Sequence, residues 1–174
     1  GDSQTFSSEY PQLELDNGLE LNGHTLTMEG ITPVQLRGIV SGAGSLVADG
    51  AVDLFGANVF TGILRTTNVG TINIRNGQAL GSTAAGTIVT AGGHLAFGPS
   101  AVTSSEPLTL AGELVVAAIG HVHNGPVLLP SGPVAVQQSV SGTGSLDLNG
   151  PVSGPGGWEI FDGATLTFRG TNVY

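Results

Sequence analysis

The amino-acid sequence predicts an all-β chain whose short strands wind into a solenoid of stacked coils. Three observations carry the prediction: segments that alternate apolar and polar residues, glycine-rich corners between them, and an ordered set of motifs that recurs along the chain. Glycine supplies 29 of the 174 residues, and charged residues only 10%, against about 25% in ordinary globular domains. A mean hydropathy of +0.25 is too high for a disordered chain. The glycines do not fall at every third position, as a collagen helix would require.

Residues 1–10 are polar, with Ser3, Thr5, Ser7, Ser8 and Glu9, and suit either a cover over the first coil or a disordered lead. Strand patterns follow at Leu13-Glu14-Leu15, His24-Thr25-Leu26-Thr27-Met28, Thr71-Ile72-Asn73-Ile74-Arg75, Pro107-Leu108-Thr109-Leu110 and Ala164-Thr165-Leu166-Thr167-Phe168. Each puts its apolar residues on one side, as a strand with one buried face does. The alanine-rich stretch 79–86 is broken by Gly81 and Gly86 before a helix could form. The expected core comprises Leu46, Leu54, Ile72, Ile74, Leu95, Phe97, Leu108, Leu110, Leu114, Val116, Leu146, Leu148, Leu166 and Phe168.

Corners are marked by Asn-Gly or Asp-Gly pairs at Asn22, Asp49, Asn76, Asn124 and Asn149, with further copies at Asn17 and Asp162. Such pairs suit backbone with φ > 0. Taking the interval of 48 between Asn76 and Asn124 as two coils, the spacing averages about 25 residues and implies roughly seven coils, within the range of repeat architectures. An antiparallel sandwich or barrel is the rival, because Asn-Gly is also a strong hairpin signal. Against it, Asn76-Gly77 is followed by Gln78-Ala79-Leu80-Gly81 and not by a strand to match 71–75.

Longer repeats are present as well. Pro33-Val34 and Val40-Ser41-Gly42-Ala43-Gly44-Ser45-Leu46 recur as Pro133-Val134 and Val140-Ser141-Gly142-Thr143-Gly144-Ser145-Leu146. Val152-Ser153-Gly154 repeats Val40-Ser41-Gly42, and Gly170-Thr171-Asn172-Val173-Tyr174 repeats Gly56-Ala57-Asn58-Val59-Phe60. The series from Gly44-Ser45-Leu46 through Gly56-Ala57-Asn58-Val59-Phe60-Thr61-Gly62 and Ala79-Leu80-Gly81 to Gly93-His94-Leu95-Ala96-Phe97 resembles the passenger-associated transport repeat of bacterial autotransporters. The likeness covers 33–98 and 106–174, with Ala48-Asp49-Gly50 and Phe161-Asp162-Gly163 where the family often has Lys-x-Gly. It implies a right-handed parallel β-helix, exported and displayed at the bacterial cell surface. The chain then divides into an N-terminal capping or first-coil segment, 1–32, and a repeat solenoid, 33–174, ending inside a further copy. Asn58 and Asn172 are expected at equivalent corners.

Thirteen acidic residues face four arginines and no lysine, for a net charge of −9. A nucleic-acid partner is excluded for want of a basic footprint, and lysine Schiff-base and P-loop chemistry go with the missing lysine. No apolar run reaches the roughly 20 residues of a membrane helix, so this segment is not expected to insert in a membrane. Cysteine is absent, which fits export.

Parallel β-helices that act on polysaccharides gather carboxylates in one outer groove, for calcium or as an acid and nucleophile pair. The nearest candidates are Asp49 with Asp53, and Glu14, Asp16 and Glu20. His121 and His123 share one strand face, a spacing that suits a transition metal but finds no third ligand nearby. His24 and His94 read as surface residues. Trp158 could stack on a sugar, although its alignment with Leu46 places it in the core or at a coil end. No catalytic, cofactor-binding or metal-binding residue is assigned. The expected function is a non-catalytic structural segment of a secreted or surface protein, a stalk, adhesin or passenger scaffold, with a host protein or glycan as partner and end-to-end contact with further repeats or copies. The alternatives are a polysaccharide lyase or glycoside hydrolase, then a carbohydrate-binding module.

Overall fold

A computed structural model describes residues 3–9, 12–130, 132–138 and 144–173. Among them there is no helix, and every strand pairing is parallel. The chain is a parallel β-helix with three faces. The first face is a nine-stranded sheet running from Gln4–Ser8 through His24–Gly30, Gly44–Ala48 and Leu64–Thr66 to Val152–Ser153 and Asn172–Val173. The second has eight strands, among them Glu14–Leu15, Ala51–Leu54, His94–Phe97 and Gly157–Ile160. The third begins as Leu19–Glu20 and Val40–Ser41 and resumes as Thr103–Ser104, His121–His123, Ser145–Leu148 and Thr165–Phe168. Between these two pieces it continues without strand geometry, held by Val59 N–H to the Val40 carbonyl at 2.8 Å and Ser82 N–H to the Phe60 carbonyl at 3.0 Å.

Gln4, Leu26, Leu46, Leu64, Thr87, Leu108, Val127, Val152 and Asn172 lie one above another on the first face. The eight steps between them take 18 to 25 residues, 21 on average, so the coil is shorter than the expected 25 and there are about eight turns. Spacing misled because the pairs counted occupy different corners. Asn22 ends a third-face strand, Asp49 a first-face strand and Asn76 a second-face strand. Each interval of 27 is therefore one coil plus one face. Asn124 and Asn149, which do share a corner, are stacked and joined by Asn149 Nδ2 donating to Asn124 Oδ1 at 2.9 Å.

The corner glycines are needed for closeness more than for φ. Positive φ occurs at Asn22 and Asp162 with the glycines after them, but not at the other Asn-Gly and Asp-Gly pairs. At Gly150 a Cβ would overlap the Gly125 carbonyl oxygen, and at Gly170 the Gly150 oxygen. Coils only about 4.8 Å apart leave no room there for a side chain.

The long repeats are offset by a face. Gly44-Ser45-Leu46 belongs to the first face, whereas Ser145-Leu146 is on the third; Val40–Ser41 is on the third and Val152–Ser153 on the first. Residues 140–143 of the copy lie outside the described residues. Asn58 and Asn172 are accordingly not equivalent: Asn58 is a buried third-face residue, and Asn172 is in a first-face strand opposite Val152. Neither has positive φ.

Inward residues of all three faces form one apolar column. Leu46, Leu54, Ile72, Ile74, Leu95, Phe97, Leu108, Leu110, Leu114, Val116, Leu146 and Leu148 are buried as expected, each contributing about 1.5–3 kcal/mol relative to exposure. Leu166 and Phe168 pack on the column but are only half-buried, being in the last described coil. At the other end Gln4–Ser8 is neither cover nor loose lead: it pairs in full with 26–30 as the first strand of the first face. Gly1, Asp2 and Tyr10 lie outside the described residues.

Candidate functional site

The outward residues were the source of every candidate site, and their placement follows one rule set by the coil. Asp53 stands opposite Asn73, and Arg75, two residues on, reaches back to it with Nη2 at 2.9 Å and Nε at 3.2 Å from the same oxygen. Asp147 stands opposite Thr167, and Arg169 reaches it at 2.9 Å. Glu14 stands opposite Gln35, and Arg37 lies 3.5 Å from Glu14 and 3.8 Å from Asp16. The spacing of two is physical: inward and outward side chains alternate, so the next outward guanidinium along the strand meets the acid diagonally across the coil step. Arg37 also accepts the ring of Phe55 beneath its guanidinium at 5.0 Å, and donates to Gln35 Oε1 at 2.6 Å.

Of the acids proposed from sequence, Glu14 and Asp16 are brought together and Glu20 is not. Glu20 lies on the third face, and Glu14 and Asp16 on and just after a second-face strand, all at the N-terminal coil. A depression of about 300 Å³ there is lined by Phe6, Glu14, Leu15, Asp16 and Leu19. Asp49 and Asp53 are separated by function: Asp49 accepts from the Thr67 hydroxyl at the first corner, and Asp53 holds Arg75. Glu113 meets His94 at 3.4 Å on the second face. Among the described residues no group of three or more His, Cys, Asp or Glu converges as a metal site.

His121 and His123 point into the core, not outward. Both are fully buried. His121 Nδ1 accepts from Val102 N–H at 3.1 Å, which puts the proton of the neutral ring on Nε2; the ring lies tilted against Phe97 at 5.3 Å. His123 Nδ1 meets the Ser104 hydroxyl at 2.8 Å. The Nε2 atoms of both are buried without a hydrogen-bond partner. Burial disfavours the imidazolium, lowering the pKa of His121 and bringing that of His123 down from 6.5 to about 4. At neutral pH these are apolar-facing neutral rings filling the third face.

Comparison with known proteins finds no matching family model, curated protein or solved structure.

Trp158 is a core residue of the last coil, half-buried on the column with its ring edge-on to Phe168 at 5.8 Å and its Nε1 buried without a partner. Two groups escaped the sequence reading. Glu106 is buried where the strand part of the third face resumes, and its Oε2 accepts from Ser105 N–H at 3.3 Å; desolvation raises its pKa. Asn58 is a clamp between coils: Oδ1 accepts from Val40 N–H at 2.8 Å and Nδ2 donates to the Ala79 carbonyl at 2.7 Å. The first has no motif. The second was visible only as an Asn in a repeat, since its partners, 18 and 21 residues away, need the coil length to be known.

Proposed function

We propose that this chain is a non-catalytic structural segment of a secreted or surface-displayed bacterial protein, a rigid stalk or passenger scaffold of the kind the transport-repeat resemblance implies. The observation that supports this reading best is the first face, a parallel ladder of nine strands continuous from Gln4–Ser8 to Asn172–Val173. Eight coil steps at about 4.8 Å make a rod on the order of 40 Å long. The outward acids that a β-helix lyase or hydrolase would gather in a groove are instead engaged singly, with Arg37, Arg75, Arg169 and His94. A partner would then meet an acidic, sparsely charged surface, which suits a host protein or a glycan and disfavours nucleic acid.

The test is display. Placed between an export signal and an outer-membrane anchor, with an epitope at its outer end, the segment should present the epitope on intact cells and resist limited proteolysis as a folded unit. Retention inside the cell, or digestion at unfolded-chain rates, would count against the reading. Cleavage of neutral or acidic polysaccharides by the purified chain, lost in Glu14→Gln, would replace it with the enzyme.

A further inference from the structure

We infer that the two ends of the solenoid are mutually complementary, so that a second copy of this chain stacks head-to-tail on the last described coil. Three features of the ends agree on one register. The first is the apolar column. At the N-terminal end Phe6, Leu13, Leu15 and Leu19 are half-buried inward residues, and a depression lined by Phe6, Leu19, Leu21 and Leu26 opens beside them. At the C-terminal end Trp158, Leu166 and Phe168 are half-buried, and Ile160, opposite inward-facing position 136, is 49% exposed. With Leu19 of the arriving copy over Leu166, Leu21 falls over Phe168; on the second face Leu13 and Leu15 fall over Trp158 and Ile160. The apolar column of one copy then continues into that of the next.

Charge is the second feature. Arg169 is 60% exposed on the third face at one end, and Glu20 is outward on the third face at the other, with no ion pair. In the register above Glu20 stands over Thr167, as Asp147 stands beneath it. Arg169 would lie between two carboxylates, each diagonal to it as Asp53 is to Arg75. One like-charge meeting results, Glu14 over Glu159, and Arg37 already sits 3.5 Å from Glu14. The third feature is the backbone. Gln4–Ser8 and Glu14–Leu15 are edge strands at one end, as Gly157–Ile160 and Thr165–Phe168 are at the other, and all are parallel-pairing edges of matching faces. An open edge is a template for another strand. Because the contact joins two different surfaces and does not close, it makes dimers that grow into rods.

The inference depends on the fold and not on where the protein is displayed, so its failure would leave the scaffold reading standing. Ile160→Lys blocks the C-terminal end and Leu13→Lys the N-terminal end, each by an inward-pointing charge at an edge. Leu19→Lys serves as a second N-terminal block, and circular dichroism and thermal unfolding confirm the fold of each variant. In sedimentation equilibrium the native chain should grow in average mass with concentration, with no limiting size. Each variant alone should associate at least tenfold more weakly. A 1:1 mixture of an N-blocked and a C-blocked variant should form a species of two chains and nothing larger. A native chain that stays monomeric, a mixture that stays monomeric, or an N-blocked variant that dimerises alone through its C-terminal end would each overturn the inference.

Discussion

Lowering the pH from 7 to 5 should destabilise the solenoid through His123. Its ring is fully buried, its Nδ1 is committed to Ser104 and its Nε2 has no partner, so an added proton would place a charge among apolar side chains. In the unfolded chain the same ring binds a proton near its ordinary 6.5, whereas the folded value is about 4. Below 6.5 the unfolded state therefore takes up a proton that the folded state refuses. Stability is full above 6.5, falls with pH, and is lost in full by about 4. The slope approaches 1.4 kcal/mol per pH unit, which gives about 2 kcal/mol at pH 5 and about 3 kcal/mol at pH 4. His121, shifted the same way, adds to the loss. Glu106 works in the opposite direction: its raised pKa means that the folded state holds its proton more tightly, and stability gains as pH falls through that value. Urea unfolding followed by Trp158 fluorescence at pH 7, 6 and 5 measures the net slope. His123→Leu should flatten it by about 2 kcal/mol between pH 7 and 5, whatever its effect on stability at pH 7. An unchanged slope in that variant would refute the reasoning.

Removing the amide clamp with Asn58→Ala leaves the Val40 N–H and the Ala79 carbonyl unpaired in a buried setting; urea unfolding should show a loss of about 2–4 kcal/mol. Gly150→Ala should fold poorly or lose at least several degrees of Tm, because its Cβ would overlap the carbonyl of the coil below, while Gly157→Ala, with open space around it, should change stability by less than about 1 kcal/mol. Arg75→Met abandons Asp53, only 8% exposed, and should cost about 3 kcal/mol. Arg169→Met, at an exposed pair, should cost less than about 1 kcal/mol in the same assay.

What was legible in the sequence was what depends on neighbouring residues. Alternation in Thr71-Ile72-Asn73-Ile74 says which side chains turn inward without any knowledge of the coil, and Ile72 and Ile74 are buried. Whatever depends on the coil length was not legible. Arg37 lies 21 residues from Asp16 and Arg75 lies 22 from Asp53, so neither pair stands out along the chain. His121-x-His123 shows the limit from the other side: spacing put both rings on one face, but an alternating Val122 between two histidines does not say which of the two sets is inside. Phe97 and Val102, the neighbours that decide it, come from the preceding coil. Asn-Gly likewise reports a corner but not which corner, and mixing the three corners inflated the coil.

The offset of the long repeats by a face has a consequence for how such a rod can change. A copied segment need not span a whole number of turns, because any inward-outward strand and its corner fits any of the three walls. Copying therefore acts like a phase shift on a screw thread: the thread continues, but each feature carried by the copy points along a new azimuth. Serine, asparagine and acidic groups held in a single motif are thus spread around the circumference, and the length of the duplication, more than its sequence, determines which side of the rod displays them.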